Sequence, residues 1–165
     1  MNERLDPGSD MTEPSEAAPL IPVADRLAIA DLQHSIALAT DHGAWPTFLA
    51  CFVPGAHADY GDLGAGPIES LVERIRESQA RYQGTMNVVG THTARVDGDH
   101  ASAETYVVSH HFRSESGQSS DDQAGTRYRD ELARTPGGWR IVSRVASLRW
   151  YRSEPVAPGW LAADD

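Results

Sequence analysis

Asp41 closes an apolar helical stripe and is followed at once by His42-Gly43-Ala44-Trp45. Ile29, Leu32, Ile36, Ala37 and Thr40 recur before it at helical spacing, so its carboxylate continues the buried face. An inward carboxylate requires a partner or a task in proton transfer. Three readings follow: an acid turned out to solvent at the helix end, an acid hydrogen-bonded to a neighbouring strand, or an acid that orients a histidine for proton transfer. For the third, the candidates are His110 and His111, adjacent on one strand, so alternation sends one of them to each face. Tyr60 ends a short strand and could donate its hydroxyl to a carbonyl or enolate oxygen. Arg127, Arg129 and Arg144 supply cations from two later strands. We read Arg127 as inward, an anchor for a carboxylate or enolate, and Arg144 as a structural partner of Asp41.

These residues need a scaffold, and the chain of 165 residues, 40% hydrophobic, is long enough for one domain with a real core. Residues 1–20 are rich in Pro, Ser, Glu, Asp and Gly and read as a flexible tail. Asp25 is the expected N-cap of a helix running to about Thr40. Trp45, Phe48, Leu49 and Phe52 suggest a second short helix ended by Pro54-Gly55, then a strand over Ala56 to Tyr60 and a loop over Gly61 to Pro67. A third, amphipathic helix spans Ile68 to Arg81. Strands follow at Thr85 to Val96 and Ala101 to Arg113, joined by Asp97-Gly98-Asp99. After a polar loop over Ser114 to Gly125 come strands at Thr126 to Arg134 and Trp139 to Tyr151. Helices first and an antiparallel sheet afterwards define an α+β class. Residues 21–154 form the domain and 155–165 a tail, whose Trp160 folds back over the domain or meets a second subunit.

Composition narrows the function. The net charge of -10 comes from 24 acids against 14 bases, all of them arginine. No cluster of bases tracks a phosphate backbone, which argues against nucleic acid, and an anionic membrane surface is disfavoured for the same reason. The lone Cys51 forms no internal disulfide and sits among Phe48, Leu49, Phe52 and Val53 as a core residue. No secretory signal or membrane span is legible, so a cytoplasmic protein is expected. The glycines of Gly61 to Gly66 lack the spacing of a phosphate-binding loop, no histidine pair has metal-ligand spacing, and neither metal nor cofactor is expected.

Asp25-Arg26-x-x-Ile29-x-x-Leu32 followed by Asp41-x-Gly43-x-Trp45 resembles the opening of SnoaL-like proteins of the nuclear-transport-factor-2-like superfamily. Val96-Asp97-Gly98-Asp99-His100-Ala101, Arg127-Tyr128-x-Asp130 and Gly138-Trp139-Arg140-Ile141-x-x-Arg144 resemble its sheet, and the likeness runs from about Ala24 to Trp150. The resemblance implies a cone-shaped barrel, a curved antiparallel sheet wrapped over N-terminal helices around an internal apolar pocket, in a homodimer or homotrimer. Members include polyketide cyclases, scytalone dehydratase, a hexachlorocyclohexane dehydrochlorinase and non-catalytic subunits. The dehydratase-like members pair an acid on the first helix, matched here by Asp41, with a strand histidine. Where that pattern reads Thr-x-His and, four residues later, Asn, this chain has Thr85-Met86-Asn87 and Thr91.

Asn87 can polarise a carbonyl but cannot carry a proton away near neutral pH, so either another group is the base, with His110 and His111 the closest candidates, or no proton is abstracted. A two-residue loop at Gly98-Asp99 places Asn87 opposite His110; a three-residue loop places it opposite Ser109, with His111 as its diagonal neighbour. The expected function is cofactor-independent dehydration, isomerisation or cyclisation of a small hydrophobic carbonyl or polyketide-like substrate. In it Asp41 orients the histidine, Asn87 and Tyr60 hold the enolate, and Arg127, Trp45 and Thr91 complete the ligand contacts. The alternatives are a non-catalytic cone that binds a ligand or another subunit, and an epoxide-type hydrolase needing a second acid, Asp59 or Asp62, beside Asp41.

Overall fold

The computed structural model describes residues 22–157 other than residue 116. The expected N-terminal tail and Trp160 lie outside the described residues. Helix α1, Val23–Asp41, buries Ile29, Leu32, Ile36 and Ala37 as the stripe predicts, and also Gln33. Asp25 is not its N-cap. The helix starts two residues earlier, where the Pro22 carbonyl accepts the Asp25 and Arg26 amides. The Asp25 carboxylate is instead taken by Arg134 at 2.7 and 3.0 Å and by the indole of Trp139 at 2.9 Å.

Helix α2, Trp45–Ala50, ends before Phe52, which opens strand β1, Phe52–Asp59. Pro54-Gly55 therefore lies inside a strand rather than ending a helix. This is tolerable because the pairing of β1 with β6 is interrupted between Phe52 and His57 and its pairing with β2 begins only at His57, while Gly55 takes φ 74° and its amide is satisfied by the Glu69 carboxylate. A short turn at Gly61–Leu63 and strand β2, Ala65–Pro67, lead into helix α3, Ile68–Gln79, whose buried face is Ile68, Leu71, Val72 and Ile75.

Strands β3 (Gly84–Asp97), β4 (His100–Glu115), β5 (Gln118–Thr135) and β6 (Gly138–Val156) form the long meander. The segment expected as a polar loop is strand on both sides of a tight turn. Its polar side chains bond one another: Asp121 to His110 and Gln123, and Asp122 to Arg113 and Ser153. The six-stranded sheet has the order β2-β1-β6-β5-β4-β3. It is mixed rather than purely antiparallel, since β1 runs parallel to β6. Only hairpin-linked strands are forced to be antiparallel, and β1 meets β6 from far along the chain. The sheet does not close on itself; β2 and β3 are its edges.

Register shifts between Val89 and His92 on β3, at Gly125/Thr126 and at Glu131/Leu132 mark bulges that bend the long strands. The curved inner face packs on α1 and α3 through Ile29, Phe48, Leu71, Ala103, Leu132 and Ile141.

Candidate active site

Between α1, α3 and the inner face of β3 to β6 lies a cavity of about 380 Å³. Its walls are largely apolar, with Ile36, Ile75, Val107, Ala124 and Ala146 among them. Among the polar side chains that interrupt them, two groups stand out. One is Asn87, Ser109 and His111; the other is Tyr60, Tyr128 and Arg144.

The first follows from a bulge. The loop at Gly98-Asp99 has two residues, with Asp97 paired to His100, yet Asn87 faces Ser109 rather than His110. Gly90 and Thr91 together oppose Tyr106, and this extra residue shifts the register by one. Asn87, Ser109 and His111 thereby share the inner face. Asp41 accepts the Thr85 hydroxyl at 3.2 Å, the Asn87 backbone amide at 3.0 Å and the Asn87 side-chain amide at 2.6 Å. The Asn87 carbonyl oxygen in turn accepts the Ser109 hydroxyl at 2.6 Å. Of the three readings of Asp41, the geometry is that of an acid bonded to a neighbouring strand.

His111 is oriented by a different group from the one expected. Its Nδ1 donates to the Asp122 backbone carbonyl at 3.2 Å. A carbonyl only accepts, so Nδ1 bears the proton and Nε2 is the unprotonated nitrogen of a ring that lines the cavity. Burial holds the His111 pKa below its ordinary 6.5, against the opposing pull of that carbonyl and of Asp122, Asp121 and Asp41. The Tyr82 ring stands 4.8 Å from the imidazole. His110 points to the opposite face, where its Nδ1 meets Asp121 at 2.8 Å.

At the other group Arg144 is fully buried. It donates to both oxygens of Asp130 at 2.7 Å and to the Gln33 carbonyl at 2.7 Å, and Gln33 donates to Asp130 at 2.8 Å. Burial opposes the Arg144 charge, but Asp130 keeps the guanidinium protonated well above the usual range. Its face lies 4.7 Å from the Tyr128 ring. The Tyr60 hydroxyl is buried with no well-aligned hydrogen-bond partner among the described residues. Burial pushes the Tyr60 phenol up, partly offset by Arg144, so it remains a donor.

Other expected site residues fall elsewhere. Arg127 does not face inward; it lies on the outer face, 3.8 Å from Glu104, because Tyr128 and Asp130 take the inward positions of β5. Arg144 is a structural partner, but of Asp130 rather than Asp41. Thr91 is exposed in the bulge, and Trp45 packs edge-on against Phe48 outside the cavity lining. Asp62 reaches the cavity wall and Asp59 accepts the Gly61 amide, but neither bonds Asp41. Among the described residues no group of three His, Cys, Asp or Glu could hold a metal ion, and no helix is long and apolar enough to cross a membrane. The sequence reading gave Ser109 no role of its own and missed Asp122, Gln33 and Asp130. Gln33 had a signal, a polar side chain four residues from Ile29 within the buried stripe.

This fold of helices packed on a curved sheet is shared with known proteins. Residues 22–145 match the family model of the SnoaL-like domain, and the chain belongs to that family. Uncharacterised proteins of Mycobacterium tuberculosis and Mycobacterium bovis are 31% identical to it over 131 residues, covering 74% of this chain and 84% of theirs. The fold is similar to that of hexachlorocyclohexane dehydrochlorinase LinA-type3 from Novosphingobium barchaimii, with a TM-score of 0.70 and 16% identity, covering 86% of this chain and 97% of that one. A scytalone-dehydratase-like protein from Novosphingobium aromaticivorans has a TM-score of 0.70 and 18% identity, with coverage of 86% and 97%.

Proposed function

We propose that the protein is a cofactor-independent acid–base enzyme of the dehydratase, isomerase or cyclase type, acting on a small, mostly hydrophobic, polyketide-like carbonyl compound. The observation that carries this is His111. Its ring lines the cavity, its Nδ1 is committed to a backbone carbonyl so that Nε2 carries no proton, and burial lowers its pKa below the ordinary value. Such a group is a general base near neutral pH. Nε2 removes a proton alpha to the carbonyl, and the electron pair moves onto the carbonyl oxygen. The Tyr60 hydroxyl, beside Arg144, donates to that developing enolate. The His111 imidazolium then returns the proton to another carbon in isomerisation, or to a departing hydroxyl, released as water, in dehydration. Asp41 takes no direct part; it holds Asn87.

The test is deuterium incorporation at the alpha carbon of aryl ketones in deuterated water, followed by proton NMR. The wild-type protein is expected to accelerate the exchange, and His111→Ala to lose that acceleration. A wild-type rate equal to buffer, or an unaffected His111→Ala variant, defeats the proposal. A second reading, a ligand-binding cone without chemistry, is favoured by one observation: Asn87 occupies the place of the strand histidine and is locked by Asp41. That reading predicts ligand binding with no exchange.

A further inference from the structure

His111 and Asp122 stand opposite each other on β4 and β5, and Ser153 lies opposite Asp122 on β6. Arg113 and Ser120, each two residues away on its own strand, share their face. These side chains form one patch that begins at the cavity wall with His111. Within it the two polar ends of Asp122 have different partners. Its main-chain carbonyl accepts the His111 Nδ1 proton at 3.2 Å. Its carboxylate is taken by other donors: the Ser153 hydroxyl at 2.5 Å and the Ser120 hydroxyl at 3.4 Å on Oδ1, and the Arg113 guanidinium at 3.2 Å on Oδ2. The Asp122 side chain is 3% exposed, so these donors, rather than bulk water, fix where the residue sits.

This division suits a base. In an unconstrained histidine the neutral ring carries its proton chiefly on Nε2, which is then a donor without a lone pair for a substrate. A base acting through Nε2 needs the other tautomer, and an acceptor held at Nδ1 selects it. A carboxylate in that place would select it too, but its full charge would also stabilise the imidazolium; a main-chain carbonyl selects the tautomer with a partial charge alone. Both kinds of acceptor occur side by side on β4. His110 Nδ1 meets the Asp121 carboxylate at 2.8 Å on the outer face, and His111 Nδ1 meets a carbonyl on the inner one.

From this arrangement the structure assigns Asp122 as the positioning residue of His111: its carboxylate, locked by Ser153, Ser120 and Arg113, holds its own carbonyl against Nδ1 and keeps the proton off Nε2. Asp122 does not line the cavity and acts through the imidazole alone. The inference rests on the acid–base reading of His111 and adds the residue that sets its tautomer.

The full chain, labelled with nitrogen-15 in its histidines, tests it. Two-bond proton–nitrogen correlations at pH 7.5 read the tautomer of each neutral ring, and the His111 signals are those lost in His111→Gln. In the parent the Nδ1-protonated form is expected to exceed the Nε2-protonated form about tenfold, the effect of one net hydrogen bond. Ser153→Ala removes the shortest bond to the carboxylate and leaves Asp122 and His111 in place. It is expected to lower the ratio about threefold while keeping the circular dichroism of the parent. Asp122→Ala is expected to lower it further, to the Nε2-protonated majority of a free histidine, and Asp122→Asn, which keeps an oxygen for Ser153, to recover part of it. A parent His111 protonated mainly on Nε2 overturns the inference, as does a ratio unchanged in Ser153→Ala and in folded Asp122→Ala. Should Asp122→Ala not fold, an unchanged ratio in Ser153→Ala overturns it alone. Alpha-carbon exchange on aryl ketones keeps the two proposals apart. An Nδ1-protonated His111 without exchange removes the base and leaves the tautomer control, whereas exchange with an unchanged ratio in the variants removes the role of Asp122 alone.

Discussion

Asp41 accepts three hydrogen bonds from β3, and each ties the end of α1 to the sheet. Asp41→Ala removes both acceptor oxygens, and with them all three bonds, at a half-buried site and leaves the Asn87 amide unsatisfied. A loss of about 2–3 kcal/mol is expected from urea denaturation, typical of bonds to a charged group. Asp130 carries a larger risk. Its partner Arg144 is 2% exposed, so Asp130→Leu strands a buried cation and is expected to cost about 3–5 kcal/mol in the same measurement. A change under 1 kcal/mol would mean that Arg144 finds another anion or water. His111 is the residue whose effect depends on pH. Its folded pKa lies below 6.5, so between that lowered value and 6.5 the unfolded chain binds more protons and stability rises with pH. If His111 is the proposed base, kcat/KM is expected to fall as pH drops through the lowered pKa, with the acid limb of the profile below 6.5. An acid limb at or above 6.5 would assign it to another group.

Among the elements, the one that decides the site is the bulge of β3. From Asn87 to Asp97 there are ten steps and from His100 to Ser109 nine, so one residue on β3 is unmatched. Gly90 suits the place, since a Cβ there would come within 3.3 Å of the Tyr106 carbonyl. Deleting Thr91 leaves nine steps against nine. Asn87 should remain opposite Ser109, with its bond to Asp41 intact, while the strand straightens and the cavity changes shape. A crystal structure of the deletion with Asn87 on the outer face would refute this account of the register. The stripe of α1, the amphipathic α3 and the Asp97-Gly98-Asp99 turn were legible because each rests on local periodicity or turn chemistry. The face presented by His111 was not, because turn length alone does not reveal an internal bulge. Nor was the strand character of Asp121, Asp122 and Gln123, whose polar side chains look like a loop until their partners on β4 and β6 are known. Arg127 was misplaced for a similar reason: both faces of β5 carry arginine or acid, and only the pairing of Asp130 with Arg144 fixes which face is inside.

For the molecule as a whole, α1 is fastened to the sheet at three polar points eight residues apart: Asp25, Gln33 and Asp41. Eight residues of helix span about 12 Å, so the three anchors are spread along the cone from its β5–β6 turn to the Asn87 wall. The anchors differ in how they answer to acid. Gln33 does not titrate. Asp25, between the Arg134 guanidinium and the Trp139 indole, is held at a pKa of about 2, against 3.8 in the unfolded chain. Its contribution is complete above about pH 4 and is lost as pH falls towards 2, because the unfolded state takes up its proton first. Asp25→Asn keeps the shape but loses the charge. The variant is therefore expected to be less stable than the parent at pH 7 and at pH 4, and the gap should narrow steadily as pH falls to 2. Urea denaturation at the three pH values measures that gap. A gap of constant size down to pH 2 would show that Asp25 acts through neutral hydrogen bonds alone, and that the acid sensitivity of the cone resides in its other carboxylates.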